Sequence, residues 1–367
     1  MKPSRIHALT GIRAIAVIMV FLYHNRKYWR GDLPDYVNRL LNECHIGVSL
    51  FFVLSGFLIA YTYRDKPVGS AKEYTKYLLI RLVRIFPVYL LILSLKYIDE
   101  GFPSSKETWL TYSLFHGFSD RYNLSGISQA WSLTVELSFY TLAPVIYFLC
   151  KRSIVKTILF LLAFLGLTFC IGYGWHAVNG NPDRFFYAWF FIFNTTFAGR
   201  FPEFLAGMLL AHFLLTEKRF LLTRLKYKTL TGGLLTILTI LILGWLEPNI
   251  YKHGTDVPAG LAIRNIVLPC TVILLLYGLI VERTWLQRFL STGVMVLLGN
   301  ASYVFYLIHI SYVNQKLKSW HFFPDRNFIL LWLVAIAVYL LIERPVYEKM
   351  KALIKRNAGK SVKAVRK

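Results

Sequence analysis

Residues 45–63 read HIGVSLFFVLSGFLIAYTY, a stretch without a single Asp, Glu, Lys or Arg. At a rise of about 1.5 Å per residue, a helix of this length covers the roughly 30 Å of a bilayer's hydrocarbon core. Upstream, residues 8–24 form a comparable run. Downstream, runs recur at 77–96, 130–150, 157–173, 200–215, 229–246, 261–281, 293–313 and 327–343. Together they predict an all-α polytopic transmembrane bundle of about ten helices (10–11). The aromatic stretch 185–197 is the possible eleventh crossing, and its shortness keeps it out of the count.

The composition agrees with a membrane fold. Of the 367 residues, 56% are hydrophobic and 17% charged, and the mean hydropathy is +0.49, which excludes an ordinary soluble domain. The runs leave no stretch in which a separate soluble unit could fold, so residues 1–348 read as one integral-membrane domain and 349–367 as a basic cytoplasmic tail suited to anionic headgroups. Lys2 and Arg5 precede the first run in the manner of a signal peptide. However, Arg13 lies inside it, and His24-Asn25-Arg26-Lys27 stands where a small-residue cleavage site would be, so it is a retained helix. Cys44, Cys150, Cys170 and Cys270 are scattered, which suggests neither a disulfide framework nor a zinc site, and no metal is expected.

The formal charge of +23 raises the question of nucleic acid. The basic residues fall in short loops and the tail rather than on one amphipathic face, which argues against it. Their distribution is better explained by orientation, with both termini cytoplasmic under the positive-inside rule.

Ionisable residues inside the spans are costly and mark a pathway or a site. The acids are Glu136, Glu203 and Glu343; the bases are Arg13, Arg81, Arg84, Arg200, Arg264, His24 and His309. Arg13 and His24 are eleven steps apart, about three turns, so they share a helix face about 16 Å apart. The orientation puts Arg13 in the cytoplasmic leaflet and His24, Glu136 and His309 near the outer one. Arg81 and Arg84, three apart at the cytoplasmic start of the third span, suit two guanidinium groups closing on phosphates. A neutral His24 supported by the Glu136 carboxylate suits a general base acting on a hydroxyl. Each has a plainer reading: His24 as an interfacial residue, Glu136 as a structural hydrogen bond, Arg81 and Arg84 as positive-inside anchors.

At these positions the chain strongly resembles the acyltransferase-3 family of membrane O-acyltransferases. The blocks that carry the likeness are LTGIRA at 9–14 leading to His24, GVSLFFVLSGFLI at 47–59, RLVRIFP at 81–87 and WSLTVELSFY at 131–140. RFPEFLAG at 200–207, GNASY at 299–303 leading to His309, and ERP at 343–345 complete the series. They cover nearly the whole chain in family order.

The resemblance implies catalysis by His24 with Glu136, and acyl-CoA binding by Arg13, Arg81 and Arg84. It also implies supporting or substrate-lining places for Trp131, Arg200, Glu203, Tyr303 and His309. The implied reaction moves an acyl group, acetyl first, from cytoplasmic acyl-CoA to a hydroxyl of a carbohydrate or lipid-linked glycan at the outer face. Acetyl-CoA would be a co-substrate, with no permanently bound cofactor, and the location a bacterial cytoplasmic membrane. Some relatives carry a fused extracytoplasmic hydrolase-like domain; residues 344–367 are too few for one, so a separate partner is the alternative to acting alone. Other readings are a transporter or flippase, a succinyl-CoA donor or a non-sugar acceptor. Acceptor choice is expected in the outer loops at 25–43, 97–129 and 175–199, through Trp and Tyr residues that stack on sugar rings.

Overall fold

A computed structural model describes all residues except 1–2, 29–31, 64–67, 217–224, 248, 250–251, 320–323 and 365–367. The described residues are 85% helical, with no strand among them and one isolated bridge, Ser119 to Phe185. The first half comprises α1 (Pro3–Asn25), α2 (Asp35–Glu43), α3 (Gly47–Thr62), α4 (Ala71–Glu100), α5 (Ser105–Tyr112), α6 (Trp131–Arg152) and α7 (Ile154–Asn179). Then follow α8 (Trp189–Thr195), α9 (Phe197–Thr216), α10 (Lys228–Leu246), α11 (Pro258–Ala262), α12 (Leu268–Val281) and α13 (Trp285–Leu290). The chain closes with α14 (Gly293–Ile308), α15 (Tyr312–Ser319), α16 (Pro324–Val338) and α17 (Arg344–Ala364).

Local chemistry sets several boundaries. Ser70 and Glu73 form a reciprocal capping box at the start of α4, satisfying amide groups that a helix start leaves free. Ser153 caps α7 through the Lys156 N–H and is the only residue separating it from α6. The αL conformation of Gly180 ends α7.

Among the described residues, eight helical runs are long and apolar enough to cross a membrane, and nine if α14 and α15, bent by 80°, form one broken span. The expected span at 200–215 exists as the 20-residue α9 but is not among them. It carries Arg200, Pro202, Glu203 and His212, and the Arg200–Glu203 pair is buried. This helix is lodged inside the bundle against α3 rather than facing lipid. The stretch at 185–197 does not cross, since its helix α8 has seven residues and a length of about 10 Å. At the other end, a helical run from Asn327 to Arg356 passes without a break through a π turn at Tyr339–Glu343. The boundary expected near residue 348 therefore falls within α17, which packs on α4.

Helix α1 lies at the centre, against α3, α12, α13 and α14, while α9 bridges α3, α6, α7 and α12. Between helices in lipid there is little hydrophobic driving force, so close backbone approach and dispersion hold the bundle. A Cβ on Gly56 would meet the Phe204 carbonyl, and one on Gly207 would meet backbone atoms of Val53 and Phe57. In both places the obstacle is backbone, not the end of a flexible side chain that could yield. Gly207→Val is therefore expected to force α3 from α9 and cost about 1–3 kcal/mol, seen as a lower midpoint of thermal unfolding in detergent; an unchanged midpoint would refute this packing. By contrast, α7 fully buries only Thr157, Leu161, Thr168 and Gly172, with Phe160, Phe164, Leu165 and Phe169 half-buried against the core, and leaves much of its apolar surface exposed.

Candidate active site

Two cavities lie along α1 and α3, named inner and outer after the orientation expected from the sequence. The inner one has an empty volume of ≈ 820 Å³, and its charged and hydroxyl lining includes Arg13, Arg81, Arg84, Glu136, Ser55, Tyr140 and Tyr303. Helix geometry explains the convergence: Arg81 and Arg84 are one turn apart on α4, and Glu136 and Tyr140 one turn apart on α6. Ser55 Oγ donates to Glu136 Oε1 at 2.6 Å, and the Tyr140 hydroxyl donates to the same oxygen. Arg81 lies 5.5 Å from the Tyr63 ring centre and 5.7 Å from that of Tyr140. Its buried Nε has no partner among the described residues. Tyr303 donates to the Ile85 carbonyl at 2.6 Å, pinning α14 to α4. Three guanidinium groups thus face one lining carboxylate, the charge excess that a phosphate-rich ligand requires. Glu343, delivered by the π turn, lies behind this cluster within electrostatic reach of Arg84 and Arg13.

The outer cavity, with an empty volume of ≈ 1160 Å³, is lined among others by Tyr23, His24, His45, Gln129, Trp131, Asn194, Arg200, His253, Asp256 and Arg264. His24 and His309 place their ring centres 5.2 Å apart. The Tyr306 carbonyl, 2.7 Å from His309 Nδ1, can only accept, so it fixes the proton on Nδ1 and leaves Nε2 as an acceptor. Tyr23 packs against His24, His45 and His253, and its hydroxyl is 3.1 Å from His253 Nε2. These histidines are not arranged for a metal: no group of three or more His, Cys, Asp or Glu among the described residues could hold one.

Arg200 contributes no free charge to this cavity. Its Nε and Nη2 donate to the Glu203 carboxylate at 2.6 and 2.8 Å, with further bonds to Ser49 Oγ at 3.1 Å and the Asn194 carbonyl at 3.0 Å. A buried bidentate pair of this kind is neutral overall and fixes geometry. Trp131 presents its ring 6.0 Å from the Arg200 guanidinium.

Val48 and Tyr306 line both cavities. Tyr306 is held from both sides: its hydroxyl donates to the Gln129 carbonyl at 3.1 Å and lies 2.8 Å from Ser132 Oγ, while Gln129 Nε2 donates to the carbonyls of Tyr306 and Leu307.

The structure brings Arg81 and Arg84 of α4 together with Arg13 of α1 in one cavity, and places His24 in the other. It also separates His24 from Glu136, which the sequence reading pairs. Glu136 belongs to the inner, arginine-lined cavity with Ser55 and Tyr140, and the ring beside His24 is that of His309. Similar depth along two helices does not place two side chains on the same side of a bundle. His309 lines neither cavity and is fully buried behind His24. Of the outer-loop aromatics, Trp109, Trp175 and Trp189 are exposed away from both cavities, and Trp29 falls outside the described residues. The loops supply Leu124, Ser128, Gln129, Phe190, Asn194 and Thr195 instead.

Sequence reasoning missed His45, His253 and Asp256. His45 precedes α3 in the quoted run and carries no signal of its own. His253 and Asp256 stand in the loop between α10 and α11, where nothing local distinguishes them from ordinary polar residues.

A family model described as an acyltransferase domain matches residues 6–343. Among curated proteins, one from Staphylococcus aureus (strain COL), provisionally named as an O-acetyltransferase, is 25% identical over 393 residues. The O-acetyltransferase OatA of Staphylococcus aureus (strain NCTC 8325 / PS 47) is 23% identical over 383 residues. These alignments take in 96% and 95% of this chain but only 59% and 58% of the relatives' length. No solved structure matches the chain. A polytopic helical bundle with the family's arginine, histidine and glutamate blocks in order, matched by the family model over most of its length, belongs to the acyltransferase-3 family of membrane acyltransferases.

Proposed function

We propose that the protein transfers an acyl group, acetyl first among the candidates, from acyl-CoA on the cytoplasmic side to a hydroxyl of a sugar or glycan at the outer face of a bacterial cytoplasmic membrane. The observation that carries this reading is the wall common to the two cavities. A phosphate-bearing donor held by Arg81 and Arg84 can extend its arm past Arg13 towards Val48 and Tyr306. An acceptor in the outer cavity meets it there beside His24. Family membership favours this over a transporter, for which a cluster of guanidinium groups would have no acyl donor to hold.

In the proposed step His24 takes the hydroxyl proton as the oxygen adds to the thioester carbonyl. The C–S bond of the tetrahedral intermediate then breaks, and the departing thiolate receives the proton from the imidazolium. No proton is gained or lost over the cycle. The Nδ1-protonated His309 packs against His24 and holds its ring orientation. Glu136 acts on the donor side, where with Ser55 and Tyr140 it positions the arginine cluster.

The direct test is release of CoA and formation of an O-acyl ester by the protein in lipid nanodiscs supplied with acetyl-CoA and a glycan. Absence of both, with acetyl-CoA and with succinyl-CoA alike, would sink the reading. Glu136→Gln separates its role from that of His24. The expected result is an acyl-CoA KM raised about tenfold, as loss of a charged hydrogen-bonding partner implies, with the pH profile of kcat unchanged. A shifted acid limb would instead make Glu136 a partner of the base.

A further inference from the structure

Arg264 is one of the largest fully buried side chains of the protein, 1% exposed, and it lines the outer cavity. It stands on the π turn Ile263–Val267 between α11 and α12, a one-residue expansion that re-aims side chains and is frequent at functional sites. Its guanidinium donates from Nε to Asn265 Oδ1 at 3.1 Å, from Nη2 to the Phe193 carbonyl at 2.8 Å and from Nη1 to Asn194 Oδ1. Every one of these acceptors is neutral.

Among the described residues, none of the nearby carboxylates is hydrogen-bonded to Arg264. Glu203 and Glu43 are the acids whose fields reach Arg264. Glu203 is clasped by Arg200, and Glu43 accepts the Gly254 N–H at 2.7 Å. Asp256, which lines the same cavity, accepts the His253 N–H at 2.9 Å. Among the described residues none forms an ion pair with Arg264. A guanidinium has five N–H groups, so two remain uncommitted on a buried cation that lacks a direct counter-charge. Burying a cation in this way is costly unless an anion completes it. Arg200, next to it on the same wall, shows how the fold neutralises an arginine when no ligand is intended.

We propose that Arg264 recognises the acceptor, and that the acceptor carries an anionic oxygen group, a carboxylate or a phosphate, that docks on its two uncommitted N–H groups while a nearby hydroxyl faces His24. This rests on reading the outer cavity as the acceptor site. Asn194 and Asn265 hold the guanidinium plane, giving the fixed fork that suits bidentate carboxylate or phosphate recognition.

The test uses four small probes, methyl glucuronoside, its carboxamide, methyl glucoside and glucose 1-phosphate, with free succinate as a fifth. Each is titrated against the purified protein in detergent, and binding is read from the rise in unfolding temperature. In the wild type, methyl glucuronoside or glucose 1-phosphate is expected to bind about 10- to 100-fold more tightly than the amide and the neutral glycoside, the loss that accompanies a missing charged hydrogen bond. The tighter of the two identifies the anion as carboxylate or phosphate. R264Q is expected to abolish the preference and R264K to keep part of it.

A wild type that binds uronate and amide alike, or binds none of the probes to their solubility limits, overturns the proposal. So does an R264Q protein that keeps the preference. Stabilisation by succinate alone would assign the charge to a dicarboxylic acyl donor and overturn the acceptor assignment. The wild-type comparison decides the matter even if the variants fail to fold. The acyl-transfer reading fails separately: anion-selective binding without CoA release from any acyl-CoA would leave Arg264 an anion site in a protein with another activity.

Discussion

His24→Ala is expected to lower kcat by about 10²- to 10⁴-fold, the range for loss of a positioned general base, while acyl-CoA binds as in the wild type. The separation of effects follows from the geometry. His24 lines the outer cavity and none of the three inner arginines does, so its removal leaves the donor's phosphate contacts in place. The hydroxyl must then attack the thioester without a base to accept its proton. Single-turnover measurement of ester formation, beside equilibrium binding of acetyl-CoA to the same preparation, checks both halves. A well-folded His24→Ala protein with wild-type turnover would remove His24 from the mechanism. Loss of donor binding alongside turnover would mean that the substitution disturbs α1 as a whole.

The double substitution Arg81→Ala/Arg84→Ala should act in the opposite sense, on binding. Each lost charge-assisted contact to phosphate is worth about 1.5–3 kcal/mol, so two together weaken acyl-CoA binding by about 10²- to 10⁴-fold. The remaining turnover at saturating donor should fall far less. Acetyl-pantetheine, which has the thioester but lacks the nucleotide and its phosphates, supplies the control. Wild type and double variant should use it equally poorly. If the variant is as impaired with acetyl-pantetheine as with acetyl-CoA, the two arginines serve the fold or the reaction and do not read phosphate. The unpartnered Nε of Arg81 and the single lining carboxylate facing three guanidinium groups are the observations on which the expected size rests.

The fold class was legible because a bilayer imposes its demand locally. A run such as 45–63 must satisfy its own backbone and present apolar side chains, whatever its neighbours. The same logic picked out most of the charged residues that line the two cavities, since charge within a span is conspicuous. Arg13, Arg81, Arg84 and Glu136 all line the inner cavity, and His24, Arg200 and Arg264 the outer one. The count of apolar crossings was less legible at α9, where the Arg200–Glu203 pair is neutralised internally and the helix is packed within the bundle.

Sequence by itself determined the membrane-embedded helical fold, the depth of each charged residue along its helix and the spacing of Arg81 from Arg84 and of Arg13 from His24. These follow from the rise and turn of a single helix. Tertiary structure alone decided which groups of different segments face one another: Glu136 with Ser55 rather than with His24, Arg264 with the neutral acceptors of α8, and His45 and His253 brought from distant segments around Tyr23. Rise sets depth, but the rotation of each helix about its axis and its place in the bundle are set by packing, in contacts such as Gly207 on Val53 and Phe57, and no single segment encodes them.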